Sequence, residues 1–244
     1  MASEHSPLDQ FAITRLVELD VGGVDVSFTN SSAMMLAAVA SITLFLMIGI
    51  RRHAMIPGRW QSVVELAYEL VVKSVRDNIG TEGRPYFAFI FTLFMFLLFC
   101  NVLGLIPYSF TVTSHIIVTF VFAGAIFIGV TVLGFVRHGL KFFSLFFPPG
   151  VPIYLAPLLV PIEFVSFLSR PISLSVRLAA NMMAGHTMLK VFAGFVVALG
   201  LMGVAPLIFI VLLYALETLI AFLQAYVFAV LTCLYINDAI HLHH

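Results

Sequence analysis

The chain has 244 residues, of which 61% are hydrophobic and only 10% are charged, and its mean hydropathy is +1.11. This composition leaves too few polar groups to cover a water-soluble domain, so it predicts a protein that lies within a lipid bilayer. The 12 basic and 12 acidic residues cancel, which argues against electrostatic attraction to nucleic acid.

Several segments are long and apolar enough to cross a membrane. Residues 86–106 and 116–136 carry no formal charge, and each matches the roughly 20 apolar residues that span a hydrocarbon core. We predict an all-α polytopic membrane protein with about five spans, at 32–50, 86–106, 116–136, 163–197 and 207–236. Residues 31–244 then form a single membrane domain that follows an N-terminal segment, 1–30.

Clusters of basic residues predict the orientation of the chain. They follow two of the spans, with Arg51, Arg52 and His53 after the first and Arg137, His138 and Lys141 after the third. By the positive-inside rule these flanks are cytoplasmic. The N-terminal segment is then extracytoplasmic, and the C-terminus is cytoplasmic.

Residues 59–79, between the first two spans, have the pattern of an amphipathic helix. One stripe is polar and the other is apolar, the first formed by Ser62, Glu65, Glu69, Lys73 and Arg76 and the second by Val64, Ala67, Val71 and Val75. This pattern predicts a helix on the cytoplasmic membrane surface, and packing against another subunit explains it equally well.

The last hundred residues predict a long helical hairpin. Five prolines between 148 and 161 favour a broken or re-entrant connection, and Gly200, Gly203 and Pro206 mark a turn between two long apolar arms. The first arm, 163–197, is roughly 50 Å long at 1.5 Å per residue, against a hydrocarbon core of about 30 Å. We therefore expect the arms to tilt or kink, with Pro171 as a candidate kink.

Polar residues of the hairpin cluster on defined helix faces. On a helical wheel, a stripe lies within about 40° of Arg177, formed by Glu163, Ser166, Arg170, Ser173, Asn181, Ala184 and Met188. His186 falls on the opposite face, and the second arm carries Glu217, Gln224 and Tyr235 on one face. An ionisable residue at bilayer depth costs about 2.5–3.5 kcal/mol, so these positions favour a water-filled path or a charged partner.

Simpler explanations exist for some of these residues. Arg170 and Lys190 are explained as interfacial anchors, and Asn181 and Gln224 serve equally well as hydrogen-bonding contacts between helices. Arg177 is different, because it lies well inside the first arm without a carboxylate at its own depth. Its position favours function.

Three sequence motifs carry a family resemblance. The segments SLSVRLAANMMAGH (173–186), LETLIAFLQAYVFAVLTCLYI (216–236) and NVLGLIPYSFTVTSH (101–115) resemble subunit a of the F-type ATP synthase, in its mitochondrial and alphaproteobacterial type. Many bacterial members exchange the histidine at 186 and the acid at 217. The resemblance extends over nearly all of the chain after residue 30.

This resemblance implies a non-catalytic, proton-translocating stator subunit of the energy-transducing inner membrane. Its partners are expected to be the rotor ring of c subunits, the b-type peripheral stalk subunits and membrane lipid. No cofactor and no metal are expected, and ATP chemistry belongs to other subunits because the sequence has no nucleotide-binding loop.

The resemblance also implies the roles of individual residues. Arg177 is expected to be the essential charge facing the rotor, between two offset half-channels. A fixed guanidinium favours the ionised form of a rotor carboxylate, and arginine does not itself release a proton. The outer half-channel is assigned His186, Glu217, Asn181, Gln224, Asn101 and His115, and the inner one Glu163, Ser166, Ser173 and Tyr235. We expect His186 and Glu217 to titrate as one unit.

Two other classes of protein explain the sequence less well than a stator. A self-contained proton or cation transporter needs a titratable pair at a central site, and the sequence shows no inverted repeat of the kind common in such proteins. A passive assembly scaffold leaves the polar stripe unexplained.

Overall fold

The computed structural model describes residues 11–18, 20–21, 24–25, 27–51, 57–106, 109–146 and 153–241. These contain the helices α1 (Asn30–Ile50), α2 (Arg59–Ile79), α3 (Phe87–Gly104), α4 (Ile116–His138), α5 (Ala156–Leu199) and α6 (Val204–Ile240). In this part of the chain, five helical segments are long and apolar enough to cross a membrane. The predicted class, an all-α polytopic membrane protein, is confirmed.

Two short antiparallel strand pairs precede α1 and were not predicted. Strand β1 (Arg15–Val17) pairs with β4 (Phe28–Thr29), and β2 (Asp20–Val21) pairs with β3 (Val24–Asp25). Asn30 ties the segment to the helix, because its Nδ2 donates to Ala12 O (3.1 Å) and its Oδ1 accepts from the backbone N–H of Thr14 (3.3 Å). Thr29 caps α1 by accepting from the backbone N–H of Ser32.

The core of the molecule forms where α3 packs against α6. Ile90, Phe94 and Leu97 of α3 and Phe228 of α6 are almost fully buried there. Helix α6 also packs against α2, α4 and α5, while α1 packs on α2 and α3. Helix α6 is therefore the element that most of the other helices contact.

Helix α2 has the predicted bounds and the predicted amphipathic pattern. The apolar stripe that contains Val64, Val71 and Val75 is buried, and α2 packs on α1 and α6 of its own chain. The polar stripe that contains Glu69 and Lys73 is exposed. The apolar face is therefore used within the chain, so packing on another subunit is not needed to explain it.

The hairpin arms are longer than predicted. Helix α5 has 44 residues and α6 has 37, about 66 and 56 Å at 1.5 Å per residue. Helix α5 starts seven residues before the predicted 163 and includes Pro157, Pro161 and Pro171. Pro157 costs no hydrogen bond, because the first turn of a helix has no backbone acceptors for its N–H groups.

A tight turn joins the two arms at residues 200–203. Gly200 has φ of +55°, a left-handed conformation that glycine adopts without strain. A Cβ on Gly203 would lie 2.6 Å from the carbonyl oxygen of Val196, so only glycine fits this close approach. The turn thus sets the two arms side by side.

Some predictions fall on residues outside the described ranges. They concern Arg52, His53, Pro148, Pro149 and Pro152. A 3₁₀ turn at Ile153–Leu155 leads directly into α5, so the connection that we expected to be broken up to residue 161 is helical from Ala156 onward.

Candidate functional site

Arg177 lies on the face of α5 that points away from the rest of the chain. Its side chain is exposed, and it forms no hydrogen bond or ion pair with any described residue. The neighbouring exposed positions on this face are small, namely Ser173, Ala180 and Ala184. Among the described residues Arg177 is therefore an unpaired cation on a membrane helix, and the small residues on its face allow another helix to come close.

The inward face of α5 brings His186 into contact with Glu217 of α6. The Nδ1 atom of His186 contacts Oε1 of Glu217, and the two side chains are 12% and 4% exposed. No described residue other than His186 offers a hydrogen-bond donor to the Glu217 carboxylate. His186 lies 14 residues before Gly200 and Glu217 lies 11 residues after Pro206, and across the turn the two side chains form a buried pair.

Glycine at position 185 makes this pairing sterically possible. A Cβ on Gly185 would lie 2.8 Å from Oε1 and 2.9 Å from Cδ of Glu217. The carboxyl group therefore occupies the space that any other residue at 185 would fill. The Ala-Gly-His sequence at 184–186 provides both the histidine and the room for its partner.

Residues beyond the hairpin surround the His186 ring. Its Nε2 lies 2.8 Å from the carbonyl oxygen of Gly104 and 3.0 Å from Oγ1 of Thr111. Its Nδ1 also lies 3.1 Å from the carbonyl oxygen of Met182. Both ring nitrogens face oxygen atoms. An imidazolium carries an N–H on each nitrogen, so it can donate a hydrogen bond to the oxygens on the Nδ1 side and to those on the Nε2 side.

The N-terminal segment also reaches the pair. The ring centroid of Phe11 lies 6.4 Å from that of His186, with the rings inclined at 57°. Sequence reasoning did not single out Phe11 or Thr111. Neither belongs to the hairpin, and helical periodicity does not relate residues of separate elements.

Asn101 and His115, also assigned to the outer half-channel, form no hydrogen bond or ion pair with His186 or Glu217. Asn101 is fully buried, and its Nδ2 donates to the backbone oxygen of Ala221 (3.0 Å) while its Oδ1 accepts from Oγ1 of Thr113 (2.8 Å). Its amide thus links α3 to α6 one turn from Glu217.

His115 precedes α4 and stacks on Phe110, with ring centroids 5.0 Å apart. Burial lowers the pKa of the His115 imidazole, which favours the neutral ring.

Asn181 and Gln224 form no hydrogen bond or ion pair with His186 or Glu217. Gln224 is buried and Asn181 is half-buried. Neither side chain has a hydrogen-bond partner in the described ranges. Their assignment to the outer half-channel stays a prediction.

The inner candidates lie toward the other end of the hairpin. Glu163 is half-buried and has no partner among the residues that the structure describes, and Ser166 and Ser173 are exposed on α5. The guanidinium carbon of Arg170 lies 5.3 Å from the ring centroid of Tyr235. The four predicted inner residues therefore do not form one hydrogen-bonded cluster.

Asp238 is an acidic residue of this end that sequence reasoning missed. Nη1 of Arg170 donates to its Oδ2 at 2.7 Å, and both side chains are about a quarter exposed. Arg170, explained from sequence as an interfacial anchor, is thus also an ion-pair partner that joins α5 to α6. A signal was available, because Asp238 lies three residues after Tyr235 on the same helix face.

Further polar contacts tie the same end of the molecule together. Arg137, at the end of α4, donates to Glu82 at 2.8 Å. Nε2 of His138 lies 3.0 Å from the carbonyl oxygen of Ile240. Two of the basic residues expected to face the cytoplasm therefore hold the last turn of α6 and the 3₁₀ helix Gly80–Tyr86 that precedes α3.

The sequence is similar to a known family over most of its length. The family model described as the ATP synthase A chain matches residues 32–237. ATP synthase subunit a of Rhodospirillum rubrum is 56% identical over 240 residues, which cover 98% of this chain and 100% of the relative. Subunit a of Pelagibacter ubique (strain HTCC1062) is 55% identical over 241 residues, or 98% and 99% of the two chains. These matches show that the chain belongs to the ATP synthase A chain family.

Proposed function

We propose that Arg177 is the rotor-facing charge through which this proton-translocating stator subunit couples proton flow to rotation. The observation that carries the proposal is a guanidinium on an exposed membrane-helix face that pairs with none of the residues the structure describes. A charge at this depth is costly unless a partner compensates it. A carboxylate on each subunit of a c-type ring supplies that partner, and the small residues beside Arg177 let the rotor helices approach.

The His186–Glu217 pair forms the outer half-channel in this proposal. A carboxylate and an imidazole in contact hold one proton between them and release it to either side. The contact of Phe11 with the His186 ring supports an opening toward the N-terminal side of the membrane. The basic flanks at Arg51 and Arg137 support an extracytoplasmic location for that side.

The inner half-channel runs along the opposite end of α5. Glu163 lies 14 residues before Arg177, and His186 lies nine residues after it, about 21 and 14 Å along the helix axis. The two paths are thus offset on either side of the arginine. Glu163, Ser166, Ser173 and Tyr235 line the inner path, and the Arg170–Asp238 ion pair holds the adjoining helix ends together.

The offset gives the coupling its direction. A proton from the outer path neutralises a rotor carboxylate, which then leaves the stator through lipid. A carboxylate that arrives on the inner side loses its proton, because the Arg177 guanidinium stabilises the ionised form. Arg177 keeps its own proton, so protons do not pass directly from one path to the other. The b-type peripheral stalk subunits hold the stator still.

Membership of a subunit family sets aside the self-contained transporter considered from the sequence. The ATP-forming chemistry belongs to other subunits of the complex. In this subunit, the conversion of proton flow into rotation depends on the position of Arg177 between the two paths.

Cross-linking tests which face of α5 meets the rotor. Ala180 is exposed beside Arg177, whereas Ala179, the preceding residue, is 3% exposed and faces the core. In a background without Cys100 and Cys233, we expect Ala180→Cys to cross-link to a c subunit that carries a cysteine near its carboxylate. Ala179→Cys is the matched control and should not cross-link. Equal cross-linking at both positions, or none at 180, contradicts the proposed rotor-facing surface.

An exchange of residues tests whether the buried pair acts as a unit. The double change His186→Glu with Glu217→His keeps one imidazole and one carboxyl group in contact. We expect it to recover several-fold more ATP-driven proton pumping in inverted vesicles than either single change, because either member can carry the proton. If the double variant pumps no better than the worse single one, the residues work separately.

A further inference from the structure

We propose that Thr111 is a positioning residue for proton transfer, and that its hydroxyl fixes the His186 ring so that Nδ1 faces Glu217. The proposal rests on the proposed role of the His186–Glu217 pair. Thr111 lies between α3 and α4, outside both arms of the hairpin.

The hydroxyl of Thr111 has hydrogen-bond partners on two sides. Its Oγ1 donates to the carbonyl oxygen of Gly104 at 3.2 Å, and it lies 3.0 Å from Nε2 of His186. A hydroxyl that donates its one hydrogen still has lone pairs that accept an N–H. When Nε2 carries a hydrogen, Thr111 therefore accepts that N–H together with the carbonyl oxygen of Gly104, which also orients the Thr111 hydroxyl.

The bond between Thr111 and Nε2 matters because it also fixes the opposite nitrogen of the His186 ring. Nδ1 contacts Glu217, and Nε2 lies on the far side of the same rigid ring. Rotation that moved Nε2 away from Thr111 would also move Nδ1 away from the carboxylate. Two oxygens, those of Gly104 and Thr111, hold the Nε2 side in place.

Thr111 is itself fixed by its neighbours. It is only 2% exposed, and its carbonyl oxygen accepts from Oγ of Ser114 at 2.7 Å. A Cβ on Gly104 would lie 2.8 Å from Cγ2 of Thr111, so glycine at 104 permits the close approach. The bond between Thr113 and Asn101 anchors the same turn to α3. The hydroxyl is therefore presented by a packed turn.

Removing the hydroxyl without changing the shape isolates its role. Valine has the shape of threonine but neither donates nor accepts a hydrogen bond, whereas serine keeps the hydroxyl and loses only a methyl group. A hydrogen bond to a charged group is among the stronger ones in proteins. We expect Thr111→Val to lower proton pumping per assembled complex about tenfold, and Thr111→Ser to keep at least about half of the parent rate.

The matched control is Thr119→Val. Thr119 is as deeply buried as Thr111, but within the described residues its hydroxyl bonds only to the carbonyl oxygens of His115 and Ile116, at the start of its own helix. We expect this variant to pump at close to the parent rate. ATP-driven pumping in inverted vesicles, divided by the amount of assembled complex, is the measurement for all three variants.

The outcomes separate a positioning role from a structural one. If Thr111→Val pumps like the parent per complex, the proposal is wrong. The same holds if Thr111→Ser is as impaired as Thr111→Val, because shape would then be the cause. A loss of assembled complex with an unchanged rate per complex also overturns it.

A parallel Glu217→Gln variant keeps this proposal distinct from the function on which it rests. Near-parent pumping by Glu217→Gln would contradict the proposed outer half-channel itself. Strong impairment of Glu217→Gln together with normal pumping by Thr111→Val would leave that half-channel in place and reject only the role of Thr111.

Discussion

Arg177→Ala should abolish proton-driven ATP synthesis while leaving the complex assembled. The guanidinium is exposed and has no ion-pair partner in the described part of the chain, so its removal strands no buried carboxylate and opens no cavity. What disappears is the charge that stabilises the ionised rotor carboxylate. ATP synthesis in energised vesicles measures the loss, and immunodetection of the purified complex measures assembly.

Lys190→Ala provides the matched control on the same helix. Lys190 is also an exposed cation of α5 without an ion-pair partner among the described residues, but it lies 13 residues from Arg177. We expect its removal to leave synthesis close to the parent rate. Near-parent synthesis by Arg177→Ala would show that the central role assigned to this arginine is wrong.

Gly185→Ala should reduce proton pumping far more than it reduces the stability of the complex. The added methyl group would lie 2.8 Å from Oε1 of Glu217 and push the carboxyl group away from His186. The displaced atoms are at the end of a flexible side chain, and alanine favours a helix over glycine by about 1 kcal/mol, so the fold should tolerate the change. Displacing a reacting group by about 1 Å can cost up to about 100-fold in rate, so we expect at least about a tenfold loss of pumping.

Gly194→Ala is the control for this substitution. Gly194 lies in the same helix, and a Cβ there would meet no atom within 4 Å. It should pump like the parent and resist heat equally well or slightly better. Pumping in inverted vesicles and survival of the complex during heating in detergent separate the two effects. A Gly185→Ala complex that pumps normally would show that the observed contact between Glu217 and His186 is not needed.

The helices could be predicted from sequence because their signal is local. The lengths of the apolar segments predicted the spans. The 3.6-residue period of the polar positions predicted both ends of α2 correctly. The start of α5 was predicted too late because prolines were treated as breaks. Pro157 lies in the first turn, where proline is tolerated, and the rest of the 44-residue helix extends through Pro161 and Pro171.

The candidate site was only partly predictable for a related reason. Arg177, His186 and Glu217 stand out because ionisable residues are rare in apolar helices. Thr111 was missed, since it bonds to a residue 75 positions away, and the Gly104 carbonyl oxygen has no side-chain signal at all. Asp238 was missed because its partner Arg170, 68 positions earlier, was explained by its own interfacial location. Periodicity relates residues within a helix, whereas these contacts join separate elements.

Because α6 contacts most of the other helices, it limits the order in which the helix bundle can assemble. The ribosome synthesises α6 after α2, α3, α4 and α5, yet all four pack against it. The amide of Asn101 finds its acceptor, the backbone oxygen of Ala221, 120 residues later in the chain. Until Ala221 has been synthesised, the Nδ2 donor of Asn101 lacks this acceptor, although its Oδ1 already has a nearby donor in Thr113. These contacts therefore form only after α6 has been made, and a nascent chain that stops before α6 lacks the packing partner that α2, α3, α4 and α5 share.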